Sequence, residues 1–306
     1  MNDYYSPRLK KDRVNLLTPH ERFRFHEGNL SDSAFVNKIF SDLQPDVAIH
    51  LAAQPGVRYS KTHPMAYVEN NLLAQTVMLE ACRHHTVEHF VFASSSSVYG
   101  LNKEIPFKTT NRTDHPASFY GATKKACEVM THSYAHQYLI PSTGLRFFTV
   151  YGPWGRPDMA LFTFTKKILA GEPIDLFNQG HHTRDFTYID DIVEGIIRIS
   201  DKPATPDPDW DPAHPDTASS RAPFRLYNIG NSEQVKLSDY VTALEEALGR
   251  TAQRNLVPLQ PGDVPDTWAD TVELQRATGY KPATPVQEGI QKFVDWYLDY
   301  HPDAHQ

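Results

Sequence analysis

The 306-residue chain is long enough to bury a large core, either in one α/β domain with a smaller lobe or in two domains. A formal net charge of -7 argues against a nucleic-acid or anionic-membrane surface, and no apolar run approaches the roughly 20 residues of a membrane-spanning helix. The two cysteines, Cys82 and Cys127, lack metal-ligand spacing and fall in helix-like sequence; with a polar start at Met1 to Tyr5, they imply buried thiols in a cytoplasmic protein that binds no metal.

The first glycine of the chain is Gly28. Apolar positions at three- and four-residue spacing predict a helix over residues 34–43, and the run Val47-Ala48-Ile49-His50-Leu51-Ala52 predicts a buried strand. A helix over 70–83, a strand over 90–93, a helix over 120–138 and a strand from Ser142 follow. Strands alternating with helices of this length imply a parallel sheet covered on both faces. Loops leaving the carboxyl ends of such strands gather at one edge, where ligands bind, so those after Leu51, Ala93 and Phe148 should meet. From Asp201 to Pro223 six prolines preclude regular structure and imply a mobile surface excursion. Structure resumes over 224–230, with further helices over 237–248 and 286–297.

The stretch Ser94-Ser95-Ser96-Ser97-Val98-Tyr99-Gly100, followed by Tyr120-Gly121-Ala122-Thr123-Lys124, supplies a hydroxyl, a phenol and an ammonium in the order that sugar oxidation needs. Tyrosine and lysine four apart share one helix face. Alone such a pair is commonplace; a serine-rich strand end 25 residues earlier gives it meaning. A free phenol titrates near 10 and is a poor base, but a neighbouring ammonium favours phenolate; lowering a phenol by about three units takes ~4 kcal/mol. So activated, Tyr120 can remove a proton from a sugar hydroxyl while hydride leaves the same carbon.

These segments resemble the extended short-chain dehydrogenase/reductases that act on nucleotide sugars. So do Arg184-Asp185-Phe186-Thr187-Tyr188-Ile189-Asp190-Asp191, Tyr227-Asn228-Ile229-Gly230-Asn231 and Gln260-Pro261-Gly262-Asp263-Val264-Pro265, in order along essentially the whole chain. The resemblance implies a Rossmann-like, doubly wound parallel sheet with a smaller, mostly helical C-terminal lobe. Residues 1–155 and 185–230 would form the NAD-binding domain, and 156–184 with 231–306 the lobe that binds a UDP-sugar. It further implies a homodimer built through a helix bundle that includes the Tyr120 helix.

By the same resemblance Ser95 is the catalytic hydroxyl, with Ser96 as its substitute, Tyr120 the base and Lys124 its partner and grip on the nicotinamide ribose. Leu51, Ala52 and Ala53 match backbone lying against NAD, Asn71 a side chain at the dinucleotide, and Phe148 a ring near the nicotinamide. Asn29 and Leu30 match an adenine-edge position that is usually Asp followed by an apolar residue. Arg184 matches a diphosphate-binding arginine and Asp263 a ribose-binding aspartate.

Dehydratase- and decarboxylase-like members carry an acidic residue just before Val-Tyr-Gly; here that position is Ser97. Without a second acid or base, return of hydride to the opposite face is favoured, which is epimerisation at carbon 4. The segments Thr149-Val150-Tyr151-Gly152-Pro153-Trp154-Gly155-Arg156-Pro157-Asp158 and Gln54-Pro55-Gly56-Val57-Arg58-Tyr59-Ser60 resemble UDP-glucuronate 4-epimerases. Thr149, Arg156 and then Arg58 would hold the carbon-6 carboxylate, since charge-assisted hydrogen bonds are the strong ones. Relatives open with a strand, a Gly-x-x-Gly-x-x-Gly turn, a helix and a second strand, and this sequence begins as if just after that unit. Three expectations follow: an epimerase whose true start lies upstream, a short form that binds UDP-sugar without turnover, or another nucleotide-sugar enzyme (a UDP-glucose 4-epimerase, dehydratase or decarboxylase).

Overall fold

Apolar runs and amphipathic stretches alternate in the computed structural model as the sequence predicts. The structure describes residues 1–259 and 264–305. The strands are β1 Val47–His50, β2 His89–Ser95, β3 Ser142–Phe147, β4 Thr149–Tyr151, β5 Ile174–Leu176, β6 Thr183–Arg184, β7 Phe186–Tyr188, β8 Phe224–Ile229, β9 Val235–Lys236 and β10 Arg254–Leu256. The α-helices are α1 Pro7–Leu17, α2 Ser33–Leu43, α3 Tyr59–Thr62, α4 Pro64–Tyr67, α5 Ala74–His84, α6 Phe119–Tyr138, α7 Ala160–Leu169, α8 Ile189–Ser200, α9 Leu237–Leu248, α10 Val272–Thr278 and α11 Val286–Tyr300. No described helix is long and apolar enough to cross a membrane.

The main sheet has the order β1-β2-β3-β8, all parallel, with Phe90 opposite Ser142 and Ser142 opposite Phe224. Parallel neighbours need crossovers, and α5 and α6 supply two of them. Because side chains alternate along a strand, β2 sends Phe90 and Phe92 to the α2, α5 and α6 side. Val91 goes the other way, to Ile192, Ile196 and Ile199 of α8. Each fully buried phenylalanine is worth about 1.5–3 kcal/mol, so both layers are strongly held. A separate apolar cluster joins α7, α9 and α11 to β5 and β7 through Phe162, Tyr240, Leu244, Ile290 and Phe293. Cys82 and Cys127 are buried free thiols.

The helix ends follow local chemistry. Asp32 accepts from the backbone of Ala34 and Phe35 to start α2, and the Ser118 hydroxyl accepts from Gly121 to start α6. A Cβ on Gly121 would lie 2.5 Å from the Ser97 carbonyl, so only glycine lets α6 begin against the serine-rich turn.

One expectation needs correction. The run Val47–Ala52 is not fully buried: β1 is the sheet edge, so Ala48 and His50 face the core while Val47 and Ile49 remain 38% and 43% exposed. The excursion after Asp201 has no helix or strand, as six prolines dictate. Within it Asp207 meets Ser219 and Arg225, and Thr217 donates to the Thr109 carbonyl.

Candidate active site

The carboxyl ends of β1, β2 and β3 do meet, and two cavities open there that share Pro55, Tyr120, Phe147 and Arg156. The first, of about 290 Å³, is lined by Ser95, Ser96, Tyr120, Phe148, Thr149 and Arg184 among others. The second, of about 400 Å³, is lined by Leu51, Ala52, Ala53, Tyr120 and Lys124 together with Tyr4 from the chain's start. The sequence-derived hydroxyl and phenol therefore share one cavity, and the phenol and ammonium share its neighbour.

Helix α6 creates this arrangement through its period. Tyr120 and Lys124 stand one turn apart, and the buried Lys124 ammonium donates to the Ala93 carbonyl at 2.8 Å, two residues before Ser95. Ser95 is buried and caps a short 3-10 turn over Ser96–Tyr99, accepting from the Ser97 amide at 3.2 Å. Tyr120 meets Tyr67 edge to face at 6.0 Å. Tyr67 in turn donates to the carbonyls of Pro55 and Gly56. Burial raises the Tyr67 phenol well above its ordinary range, so it stays neutral beside Tyr120.

Around this centre the expected residues divide. Leu51 is half exposed and Ala52 and Ala53 line open space, an apolar surface suited to a flat ring. Asn71 turns inward: its amide oxygen accepts from the Gln54 backbone at 2.7 Å and its nitrogen donates to Gln54 and Thr123, bracing the loop after β1 against α6. Asn29 sits apart from both cavities, on the surface beside Glu69 at 3.2 Å, and Leu30 packs on the core. Arg156 reaches both cavities and pairs with Asp158 through Nε and Nη2 at 3.0 and 2.5 Å. Burial alone would raise the Asp158 carboxyl, but the Arg156 guanidinium outweighs it and holds the acid below its ordinary range. Arg184 lines the first cavity and donates to the carbonyls of Thr183 and Pro265. Arg58 lies over the Phe177 ring at 5.0 Å and is not among the residues lining either cavity, though Val57 before it lines the first. Asp263 and Gln260 fall outside the described residues.

Ser97, the position before Val98-Tyr99-Gly100, lines the first cavity, and no described residue lining that cavity is acidic. Sequence reasoning missed Tyr4, whose hydroxyl donates to Asp158 at 3.1 Å, and Asp158 itself. It also missed the role of Asp185, a buried carboxylate accepting from Asn231, Ser232 and Ala269 amides and the Thr187 hydroxyl. Only a hint of the last was available, in its place within the Arg184–Asp191 segment.

Comparison with known proteins gives the setting of this site. A protein of Staphylococcus aureus called CapI is 51% identical over 301 residues, spanning 98% of this chain and 90% of its own. A probable UDP-glucuronate 4-epimerase of Rhizobium meliloti is 46% identical over 306 residues, spanning 100% and 90%. Among solved structures, a UDP-glucuronic acid 4-epimerase from Bacillus cereus, in complex with UDP-glucuronic acid and NAD, superposes with a TM-score of 0.83. Its sequence is 33% identical, and the match covers 96% of this chain and 87% of that one. The model of the NAD dependent epimerase/dehydratase family matches residues 3–212, more than half of the chain, and the chain belongs to that family.

Proposed function

We propose that the chain epimerises carbon 4 of UDP-glucuronate to give UDP-galacturonate through a transient 4-keto sugar, with NAD as cofactor. The carrying observation is the convergence of Ser95 and Tyr120 on one cavity that no described acid lines, with Lys124 moored beside them.

The residues present fit the nicotinamide–ribose half of NAD. Leu51 to Ala53 offer exposed apolar surface, and the Lys124 ammonium keeps donors beyond its bond to Ala93 that can meet ribose hydroxyls. When bound, NAD supplies a reversible acceptor for the carbon-4 hydride. Tyr120 takes the carbon-4 hydroxyl proton and later returns it, while Ser95 orients that hydroxyl and shares its proton. Phe148, which lines the first cavity, would pack against the nicotinamide ring. Arg184 meets the diphosphate, and Thr149 with the remaining Nη1 edge of Arg156 meets the carbon-6 carboxylate. Holding that carboxylate resists loss of carbon dioxide from the β-keto acid.

The test is incubation of the chain with UDP-glucuronate and NAD, with product sugars resolved chromatographically. A galacturonate product supports the reading; a pentose product or released carbon dioxide overturns it.

A further inference from the structure

Behind the two cavities runs a polar network whose roles the proposed chemistry leaves unassigned; it reaches the second cavity through Ser94 and the first through Tyr99. Continuing the period of Tyr120 and Lys124, α6 places Glu128 one more turn along the same face. Its carboxylate is buried. One oxygen accepts from the Ser94 hydroxyl at 2.6 Å, and Arg146 grips both oxygens, Nε at 2.8 Å and Nη2 at 3.0 Å. Ser94 and Arg146 are register partners across β2 and β3, and Arg146 and Asn228 are register partners across β3 and β8. The row closes through Tyr99, which donates to Asn228 at 2.6 Å and accepts from Arg146 at 3.1 Å.

The geometry is notable for what it brackets. Ser94 immediately precedes Ser95, and Tyr99 ends the short turn that holds Ser96. The segment is therefore fixed on both sides by groups that converge on Arg146, itself fully buried and clamped to the helix of Tyr120 and Lys124. A buried ion pair of this kind is weak evidence for net stability, because two desolvations offset the attraction. What it supplies is a fixed geometry, and hydrogen bonds to charged groups are the directional ones that can enforce it.

We infer that Glu128 is a positioning residue: by holding the Ser94 hydroxyl and the Arg146 guanidinium together, it sets the distance between the Ser95 strand end and the Tyr120 helix. The inference rests on the reaction proposed above. It acts on the chemical step, where a misplacement of about 1 Å costs on the order of a hundredfold. It leaves UDP-sugar affinity alone, since neither Glu128 nor Ser94 lines the first cavity.

Two variants of the full chain test it. Ser94→Ala cuts the link to the strand while leaving the Glu128–Arg146 pair intact; Glu128→Gln weakens both. Hydrogen exchange followed by mass spectrometry should show residues 94–100 exchanging about 10- to 100-fold faster in Ser94→Ala, with α9 and α11 unchanged. In turnover, kcat should fall by about 10- to 100-fold with KM within about twofold. Unchanged exchange over 94–100 in both variants overturns the positioning role, and so does a rise spread equally over all peptides, which marks plain destabilisation. Wild-type kcat in a folded Glu128→Gln variant overturns it as well. If the unaltered chain fails to turn over UDP-glucuronate, the functional reading falls, and the exchange measurement alone decides the claim about Glu128.

Discussion

Lys124 on α6 donates its ammonium to the carbonyl of Ala93 on β2, 2.8 Å away, so the cation next to the phenol is moored to the strand that ends in Ser95. The mooring ties the helix that carries Tyr120 and Lys124 to the strand that ends in Ser95. Replacing Tyr120 by Phe removes the proposed proton acceptor while keeping the ring. General acid–base groups contribute about 10²- to 10⁴-fold, and kcat should fall within that range while UDP-glucuronate affinity by calorimetry stays within about threefold. Lys124→Met should lower kcat comparably and also weaken NAD retention, measured by absorbance of the purified chain. A Tyr120→Phe variant with wild-type kcat would remove the proposed base.

Specificity for a carboxylate should be localised in Thr149 and Arg156. Asp158 already occupies the Nε–Nη2 edge of the guanidinium, which fixes its plane and leaves one edge for substrate. Hydrogen bonds to charged groups are worth about 1.5–3 kcal/mol, a factor of roughly 10 to 150. Arg156→Met should lower kcat/KM for UDP-glucuronate by that factor and change the value for UDP-glucose far less. Equal losses on both sugars would mean that Arg156 braces the loop after β4 and does not read carbon 6. Asp158→Asn should give a smaller loss, through KM, by freeing the guanidinium to swing.

Much of this site is local in sequence and so was legible there. The α6 face, the serine-rich end of β2 and the loops at the carboxyl edge follow from period, spacing and the direction of parallel strands. What was not legible depends on partners far along the chain. Asn71 reads as a side chain for a dinucleotide, yet both ends of its amide are taken by Gln54 and Thr123, the latter 52 residues away. The run Val47–Ala52 has the composition of an interior strand, but which strand ends a sheet is set by neighbours, not by its own residues. Glu128 and Arg146 look like ordinary charged positions until the sheet register brings Arg146 opposite Ser94.

Asp185 should be a stability residue that activity assays also notice. Its carboxylate gathers amides from residues 231, 232 and 269, and its own carbonyl accepts from Thr149 at 3.1 Å. Removing an acceptor from buried donors costs about 1–3 kcal/mol for each left unpaired. Asp185→Ala should therefore lose about 3 kcal/mol or more in urea unfolding, with little change in the m-value. A loss below about 1 kcal/mol would mean that the surrounding loops find other partners.

Acid sensitivity should come in part from His50. The ring closes β1, stacks near Phe90 at 6.3 Å and leaves Nδ1 buried without a hydrogen-bond partner. Burial first, and the Lys124 ammonium second, push its pKa down from 6.5 to about 3. The sign follows from proton counts. Between these values the unfolded chain binds a proton at His50 and the folded chain does not, so stability is complete above about 6.5 and declines as the pH falls toward 3. In that window the group contributes a slope of about 1.4 kcal/mol per pH unit. A neutral replacement, His50→Gln, should start less stable at pH 7.5 because it loses the stacked ring, yet show a shallower decline to pH 4.5 in urea titrations. Parallel slopes for the two proteins would mean that His50 takes its proton in the folded state and that the ring is less enclosed than its burial beside Phe90 implies.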